Sequence, residues 1–368
     1  MQTNVAYWRL WILLSFIAGG LVVYDFNSST CATCESSGKR DEQPQTTLRG
    51  VVDRQPQTLT LRARPEVGLP TSADYIIERE SHSSIQPCNP EQTSPAGRAE
   101  KFGPILLSQG VMRFGTSARR QEVDAVDMIN KMQFQRSVCG PLAEIGVYKG
   151  WFVAALTSIA ANIDEKVYAY DLYEDQATNV DNSASAQVHK PLVKYFWDVV
   201  TKVDSNALQK VMTVKSNSME LEPRTLMSVM KYNPRIISVD GAHFGMAAFS
   251  DLLLVAKIMH PEGVIAMDDY NNKGWPGVMQ AVMTYEAVFV DDLSPFLATG
   301  AKFYLCKKEM HATYLAEAKR LHPSARLCPV SAMPANPDTR VEMDKTVFGS
   351  FVDISANNGD EGLFCPQL

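Results

Sequence analysis

The chain has 368 residues, 45% hydrophobic and 21% charged, which excludes a wholly disordered or collagen-like protein and leaves room for one or two domains with substantial cores. Thirty-five basic residues face 41 acidic ones, a formal charge of -6, and this balance argues against nucleic acid as a partner.

From Leu10 to Tyr24 the sequence LWILLSFIAGGLVVY carries no charge and lies between Arg9 and Asp25. With Val5 to Trp8 and Phe26 it approaches the roughly 20 residues that a hydrocarbon core demands. Tyr7, Trp8, Trp11 and Tyr24 flank it as interfacial aromatics do, and Arg9 favours a cytoplasmic N-terminus. Residues 1–26 therefore read as a membrane anchor, with a cleaved signal peptide as the competing reading, although no clean A-x-A site follows. Either way the bulk of the chain is expected on the lumenal or extracellular side, with the Golgi as first compartment and secretion as the alternative. There the seven cysteines (31, 34, 88, 139, 306, 328 and 365) could oxidise, and an odd number leaves at least one unpaired in a monomer. Cys31-Ala-Thr-Cys34 is a lone C-x-x-C without a second pair, better suited to a stem disulfide, including one linking two copies as a homodimer, than to zinc. Asn27-Ser28-Ser29 is a glycosylation sequon close to the membrane segment.

Residues 27–100 are rich in Ser, Thr, Gln, Pro and Arg and cannot bury enough apolar surface to offset the entropy of ordering, so they read as a flexible stem. From 101 to 308 the pattern is that of a domain. A helix is expected over 121–135, where Val123, Val126, Met128, Ile129 and Met132 fall near one face. Candidate strands follow at 141–145, 166–170, 211–215, 235–239, 263–267 and 302–307, with helices between them at 151–161, 191–203 and 247–259. This alternation predicts a parallel α/β sheet covered on both faces. The polar segment 173–190 reads as a loop over the site, and residues 309–368 as a C-terminal extension that starts helical and turns Pro-rich, where Cys328 and Cys365 are candidates for a pair.

Ligands of such sheets bind outside the carboxyl ends of the strands, and four of those ends carry distinctive residues. After the first stands Glu144-Ile-Gly146-Val-Tyr148-Lys-Gly150-Trp151, whose glycines allow a ligand close to the backbone at a helix start. Asp171 ends the second, 27 residues beyond Glu144, where an acid can accept hydrogen bonds from ribose hydroxyls. Asp240-Gly-Ala-His243 follows the fourth and Asp268-Asp269-Tyr270 the fifth. Three carboxylates converging from neighbouring strands repel unless a cation lies between them, and oxygen ligands suit Mg²⁺ or Mn²⁺.

LAEIGVYKGWF (142–152), the run 239–282 (VDGAHFGMAAFSDLLLVAKIMHPEGVIAMDDYNNKGWPGVMQAV) and KFYLCKK (302–308) together resemble class I S-adenosylmethionine-dependent methyltransferases, most closely the metal-dependent catechol-type and sugar O-methyltransferases. The resemblance covers about 120–308 and implies a Rossmann-like methyltransferase fold, a mostly parallel seven-stranded sheet with helices on both faces. It implies that Glu144, Gly146, Tyr148 and Gly150 form the loop at the methionine part of the cofactor, that Asp171 holds its ribose and that Ser218 lies near its adenine. By the same resemblance Asp240, Asp268 and Asp269 are the metal ligands and His243, three residues after Asp240, is the general base. Phe152 departs from the pattern, standing where a small hydroxyl residue often helps bind the cofactor carboxylate. Tyr270 and Trp275 are candidate substrate-facing aromatics.

The implied reaction is methyl transfer to a hydroxyl of a glycan or small molecule, the metal orienting that hydroxyl while His243 takes its proton. Two other classes stay open. One is a membrane-tethered, non-catalytic binding protein that keeps the fold, for which Phe152 speaks. The other is a nucleotide-dependent oxidoreductase, disfavoured because Glu144-x-Gly-x-x-x-Gly lacks the G-x-G-x-x-G order.

Overall fold

The computed structural model describes residues 58–60, 85–86, 116–160, 164–175, 192–204, 206–329 and 350–354. The apolar segment Leu10 to Tyr24, the sequon, Cys31, Cys34, Cys88 and Cys365, and most of the expected loop 173–190 lie outside them.

Ten strands are described: β1 Thr58–Thr60, β2 Leu142–Ile145, β3 Val167–Asp171, β4 Val211–Lys215, β5 Ile236–Val239, β6 Val264–Asp268, β7 Leu293–Ala298, β8 Lys302–Lys307, β9 Arg326–Pro329 and β10 Ser350–Asp353. The helices are α1 Thr116–Gln135, α2 Trp151–Ile159, α3 Leu192–Val203, α4 Ala207–Lys210, α5 Pro223–Met230, α6 Gly245–Ile258, α7 Pro276–Val288 and α8 His311–Leu321. The strands form one sheet in the order β1-β4-β3-β2-β5-β6-β8-β7-β10-β9. Strands β1 to β6 run parallel, whereas β8 is antiparallel to both β6 and β7, and β9 to β10.

This mixed ten-stranded sheet replaces the expected seven-stranded, mostly parallel one. Strand β7 escapes the hydropathy pattern because Pro295 interrupts it, and a register shift between Pro295 and Leu297 accommodates that residue. Strand β1 lies within the segment expected as a flexible stem; three residues on a sheet edge pair through backbone and need no apolar period. Strands β9 and β10 and helix α8 come from the expected C-terminal extension, yet β10 pairs parallel with β7 and so continues the same sheet.

Strands β2, β5 and β6 are apolar along nearly their whole length because helices cover both faces. One face packs Leu142, Val167, Ile236 and Val264 against Val126 and Ile129 of α1, Val153 and Leu156 of α2 and Tyr314 of α8. The opposite face packs Ile145, Tyr170, Val239 and Met267 against Leu226 of α5, Leu252 and Val255 of α6 and Val282 of α7. Eight of the nine residues of α2 are buried, which accounts for its being apolar all round.

The chain winds from β2 outward through β3 and β4, then returns to β5 and β6 on the other side of β2. The strand order therefore reverses between β2 and β5, the position where open α/β sheets form their ligand crevice. Among the described residues no helix is long and apolar enough to cross a membrane. Cys139 and Cys328 are disulfide-bonded, and Cys306 is a buried free thiol.

Candidate active site

Gly146 sits at the crossing point between β2 and β5. Its amide donates to Tyr170 O while Asp240 N donates to Ile145 O, both at 2.8 Å. At φ 80° it occupies the left-handed region, and a Cβ there would stand 1.9 Å from Asp240 O. Only glycine fits. Tyr148, at φ 43°, and Gly150, at φ 77°, are also left-handed, and Gly150 starts α2.

Asp171, at the end of β3, reaches back to this loop. Its Oδ2 accepts from Val147 N at 2.8 Å and Tyr148 N at 3.0 Å, and its Oδ1 accepts from Tyr173 N at 2.6 Å. Burial raises its pKa, and the three amides pull it back down only in part. The acid expected at a ribose thus also braces the glycine loop. Ser218 opens the turn after β4, and Asp251 on α6 is a fully buried carboxyl whose pKa burial pushes up to about 7. Asp251 lies directly beneath Gly241, in the loop that carries Asp240 and His243.

Glu144 points into the protein and not into the crevice. Its Oε1 accepts from Ser238 Oγ at 3.0 Å, and burial, opposed by the Lys302 charge, pushes its pKa up to about 8. Lys302, fully buried at the start of β8, donates to Ser238 Oγ at 3.1 Å, pairs with Asp268 Oδ1 at 2.9 Å and lies 4.3 Å from the Phe152 ring centre. Phe152, itself 1% exposed, is therefore part of a buried polar network.

Asp240, His243 and Asp269 come together at the ends of β5 and β6. One ligand atom from each lies within 4.8 Å of the other two, and Asp268, drawn toward Lys302, is not part of that group. His243 Nε2 is 3.1 Å from Asp269 Oδ2 and 3.7 Å from Asp240 Oδ1. The imidazole stacks on Trp275 at 4.5 Å between ring centres. Asp269 has φ 53°, a left-handed conformation that aspartate tolerates better than most residues. Burial pushes its pKa up, but hydrogen bonds from His243 and Asn272 outweigh burial and leave it below the ordinary value.

The expected site residues thus divide. Gly146, Tyr148, Gly150 and Asp171 form the loop floor, Asp240, His243 and Asp269 converge beside it, and Glu144 and Asp268 belong to the layer beneath. Trp275 stacks on His243, whereas Tyr270 is 1% exposed and stacks on Phe303 at 4.1 Å, a core residue. Lys302 and Asp251 escaped the sequence reading. A lysine heading a strand ordinarily points to solvent, and an aspartate one turn into a helix resembles a surface residue.

Residues 143–270 match the model of a family described as a methyltransferase domain. That span holds Glu144, Asp171, Asp240, His243 and Asp269 and stops short of Lys302. Among solved structures the chain is similar to the calicheamicin methyltransferase CalS11, with 17% identity, coverage of 60% of this chain and 95% of that one, and a TM-score of 0.40. It is also similar to the O-methyltransferase NovP (15% identity, 51% and 80% covered, TM-score 0.39) and to an O-methyltransferase from Bacillus cereus in complex with SAH (14%, 57% and 89%, TM-score 0.35). No curated protein matches the chain.

Proposed function

We propose that the chain is an S-adenosylmethionine-dependent O-methyltransferase in which His243 is the general base. The observation that carries this reading is the pairing of His243 with Asp269 at the β5 and β6 ends, beside a glycine loop braced by Asp171 at the strand-order reversal. The match of 143–270 to a methyltransferase domain supports it.

When bound, S-adenosylmethionine supplies a sulfonium methyl that an acceptor oxygen takes in a single displacement, leaving the thioether. The loop from Gly146 to Gly150, whose glycines let the backbone turn closely against Asp240 and Phe196, would lie at the methionine part. Asp171 keeps that loop in place through Val147 N and Tyr148 N, and the α2 amides offer a carboxylate partner that Phe152 cannot. His243 Nε2 lies 3.1 Å from Asp269 Oδ2, and the carboxylate holds the imidazole as the base for the acceptor's hydroxyl proton. Asp269 holds the ring at one edge and Trp275 at its face, which confines it to one orientation.

The oxygen donors of Asp240 and Asp269 fit a divalent cation such as Mg²⁺ or Mn²⁺, since both are partly exposed and approach one point. Such an ion would lower the pKa of an acceptor hydroxyl. Asp268, the third expected ligand, has Lys302 as its cation.

For the acceptor we propose a hydroxyl of a glycan or small molecule met on the lumenal side of a secretory membrane, with Leu10 to Tyr24 as anchor. The disulfide-bonded state of Cys139 and Cys328 supports an oxidising compartment. Phe152 favours a second reading, a tethered binding protein without turnover, because its buried ring leaves no hydroxyl at the α2 start.

Calorimetric titration of the purified protein with S-adenosylmethionine, repeated with Mg²⁺ and with Asp240→Ala, tests the proposal. Saturable cofactor binding is expected, together with Mg²⁺ binding that Asp240→Ala removes. A folded protein that takes up no cofactor would overturn the enzyme reading. Binding without methyl transfer across glycan and phenol acceptors would favour the second.

A further inference from the structure

Four adjacent strands each contribute one polar side chain to a line beneath the crevice. Glu144 on β2 stands opposite Ser238 on β5, and Asp268 at the end of β6 stands opposite Lys302 at the start of β8. Hydrogen bonds and an ion pair join them in sequence: Ser238 Oγ donates to Glu144, Lys302 Nζ donates to Ser238 Oγ, and the same ammonium pairs with Asp268. Phe152 closes the ammonium off from the α2 side.

The backbone of Lys302 is held as firmly as its side chain. Lys302 N donates to Thr299 Oγ1 at 3.0 Å, Thr299 N donates to Lys302 O at 2.9 Å, and Gly300 N in the same turn donates to Gln121 Oε1 of α1. A lysine costs much to bury, and no surface role accounts for one at 0% exposure with its amine among carboxylates. Its charge acts on Asp268, Asp240, Glu144 and Glu122, and it also reaches Asp269. Of the strand ends at the His243 cluster, the β6 end touches this cation directly, through Asp268.

The link to the chemistry runs through the chain itself. Asp268 is the last residue of β6, and the next residue, Asp269, turns into the left-handed region to meet His243. Were the Asp268 carboxylate free to swing, that turn would lose its anchor.

We infer that Lys302 is a positioning residue of the transfer site: its buried ammonium, held by Asp268, Ser238 and the Phe152 ring, fixes the β6 end from which Asp269 orients His243. The role of His243 rests on the function proposed above; the placement of His243 by Lys302 does not.

The test is the ¹³Cε1–H resonance of His243 in histidine-labelled protein, assigned by its loss in His243→Gln. This signal reports both the Trp275 stack and the Asp269 hydrogen bond. Asp269→Gly, which removes the acceptor and suits the left-handed φ there, sets the sense of the shift for an unheld ring. Lys302→Met is expected to move the resonance the same way while the calorimetric affinity for S-adenosylmethionine stays within about threefold, a change confined to side-chain placement. If Lys302→Met does not fold, Ser238→Ala and Phe152→Leu, each of which removes one contact and leaves the charge, should give smaller shifts of the same sense. A resonance unmoved in the folded variants, while their melting temperatures fall, would overturn the inference and leave Lys302 a stabilising residue only. A wild-type protein that fails to bind S-adenosylmethionine would instead count against the proposed function, since the resonance needs neither cofactor nor turnover.

Discussion

The two ends of the sheet treat charge in opposite ways. At the amino ends of the strands Arg235 forms a bidentate pair with Glu165, Nε to Oε1 at 2.6 Å and Nη2 to Oε2 at 3.1 Å, and also donates to Gln133. Gln133 in turn donates to Arg235 O, and Lys210 caps Thr157 O and Ala160 O at the end of α2 while pairing with Asp204. Charges there are matched in number and satisfied in geometry. At the carboxyl ends Glu144, Asp171, Asp240, Asp268 and Asp269 crowd together with Lys302 as their buried cation, and burial raises the pKa values of three of them, Glu144, Asp171 and Asp268. The difference teaches which end serves the fold and which the chemistry. Satisfied pairs hold a structure, whereas an excess of one sign at a crevice is kept for a ligand that supplies the other.

Substitutions at the two ends should therefore fail in different assays. The largest effect is expected from His243→Gln, which removes the proposed base: kcat should fall by about 10²–10⁴-fold with the affinity for S-adenosylmethionine little changed, read by turnover and calorimetry on the same sample. An unaltered kcat would move the base elsewhere. At the other end Arg235→Met leaves Glu165 charged, buried and without its bidentate partner, at a cost of about 3–5 kcal/mol in denaturant unfolding. Cofactor binding by the molecules that remain folded should match the wild type. Loss of binding at full stability would erase the distinction between the ends.

How much of this was legible in the sequence follows from distance along the chain. Strands β4 and β8 begin and end where hydropathy predicts, because apolar strands bounded by charges or turns announce themselves locally. Asp240 and His243 are three residues apart on one loop, and so their convergence could be read directly. Asp268 and Lys302 meet only through an antiparallel register across a hairpin that contains the Pro-interrupted β7, and no local pattern reports such a pairing. Asp171 illustrates a subtler gap. Its place at the end of β3 was readable from the alternation of strands, but its three backbone donors depend on the left-handed turns at Tyr148 and Tyr173, residues with no propensity for that conformation.

The smallest expected effect concerns Asp251 on α6 and Glu286 on α7, buried carboxyls whose pKa values burial pushes up to about 7 and about 8. A carboxyl whose folded pKa exceeds its unfolded value of about 4 contributes stability that is fully present below that unfolded value. The contribution is lost as pH rises toward the folded pKa, because the unfolded chain ionises freely while the buried group must either keep its proton or charge in a poor solvent. The melting temperature should consequently fall between about pH 5 and pH 8. Asp251→Asn and Glu286→Gln cannot ionise, so each should flatten that slope, with a gain at pH 8 on the order of 2 kcal/mol over the wild type and little change at pH 5. The Arg235–Glu165 pair offers the control, since Arg235→Met should lower stability without reproducing this pattern. A wild-type slope retained in both carboxyl variants would assign it to other buried carboxyls such as Glu144.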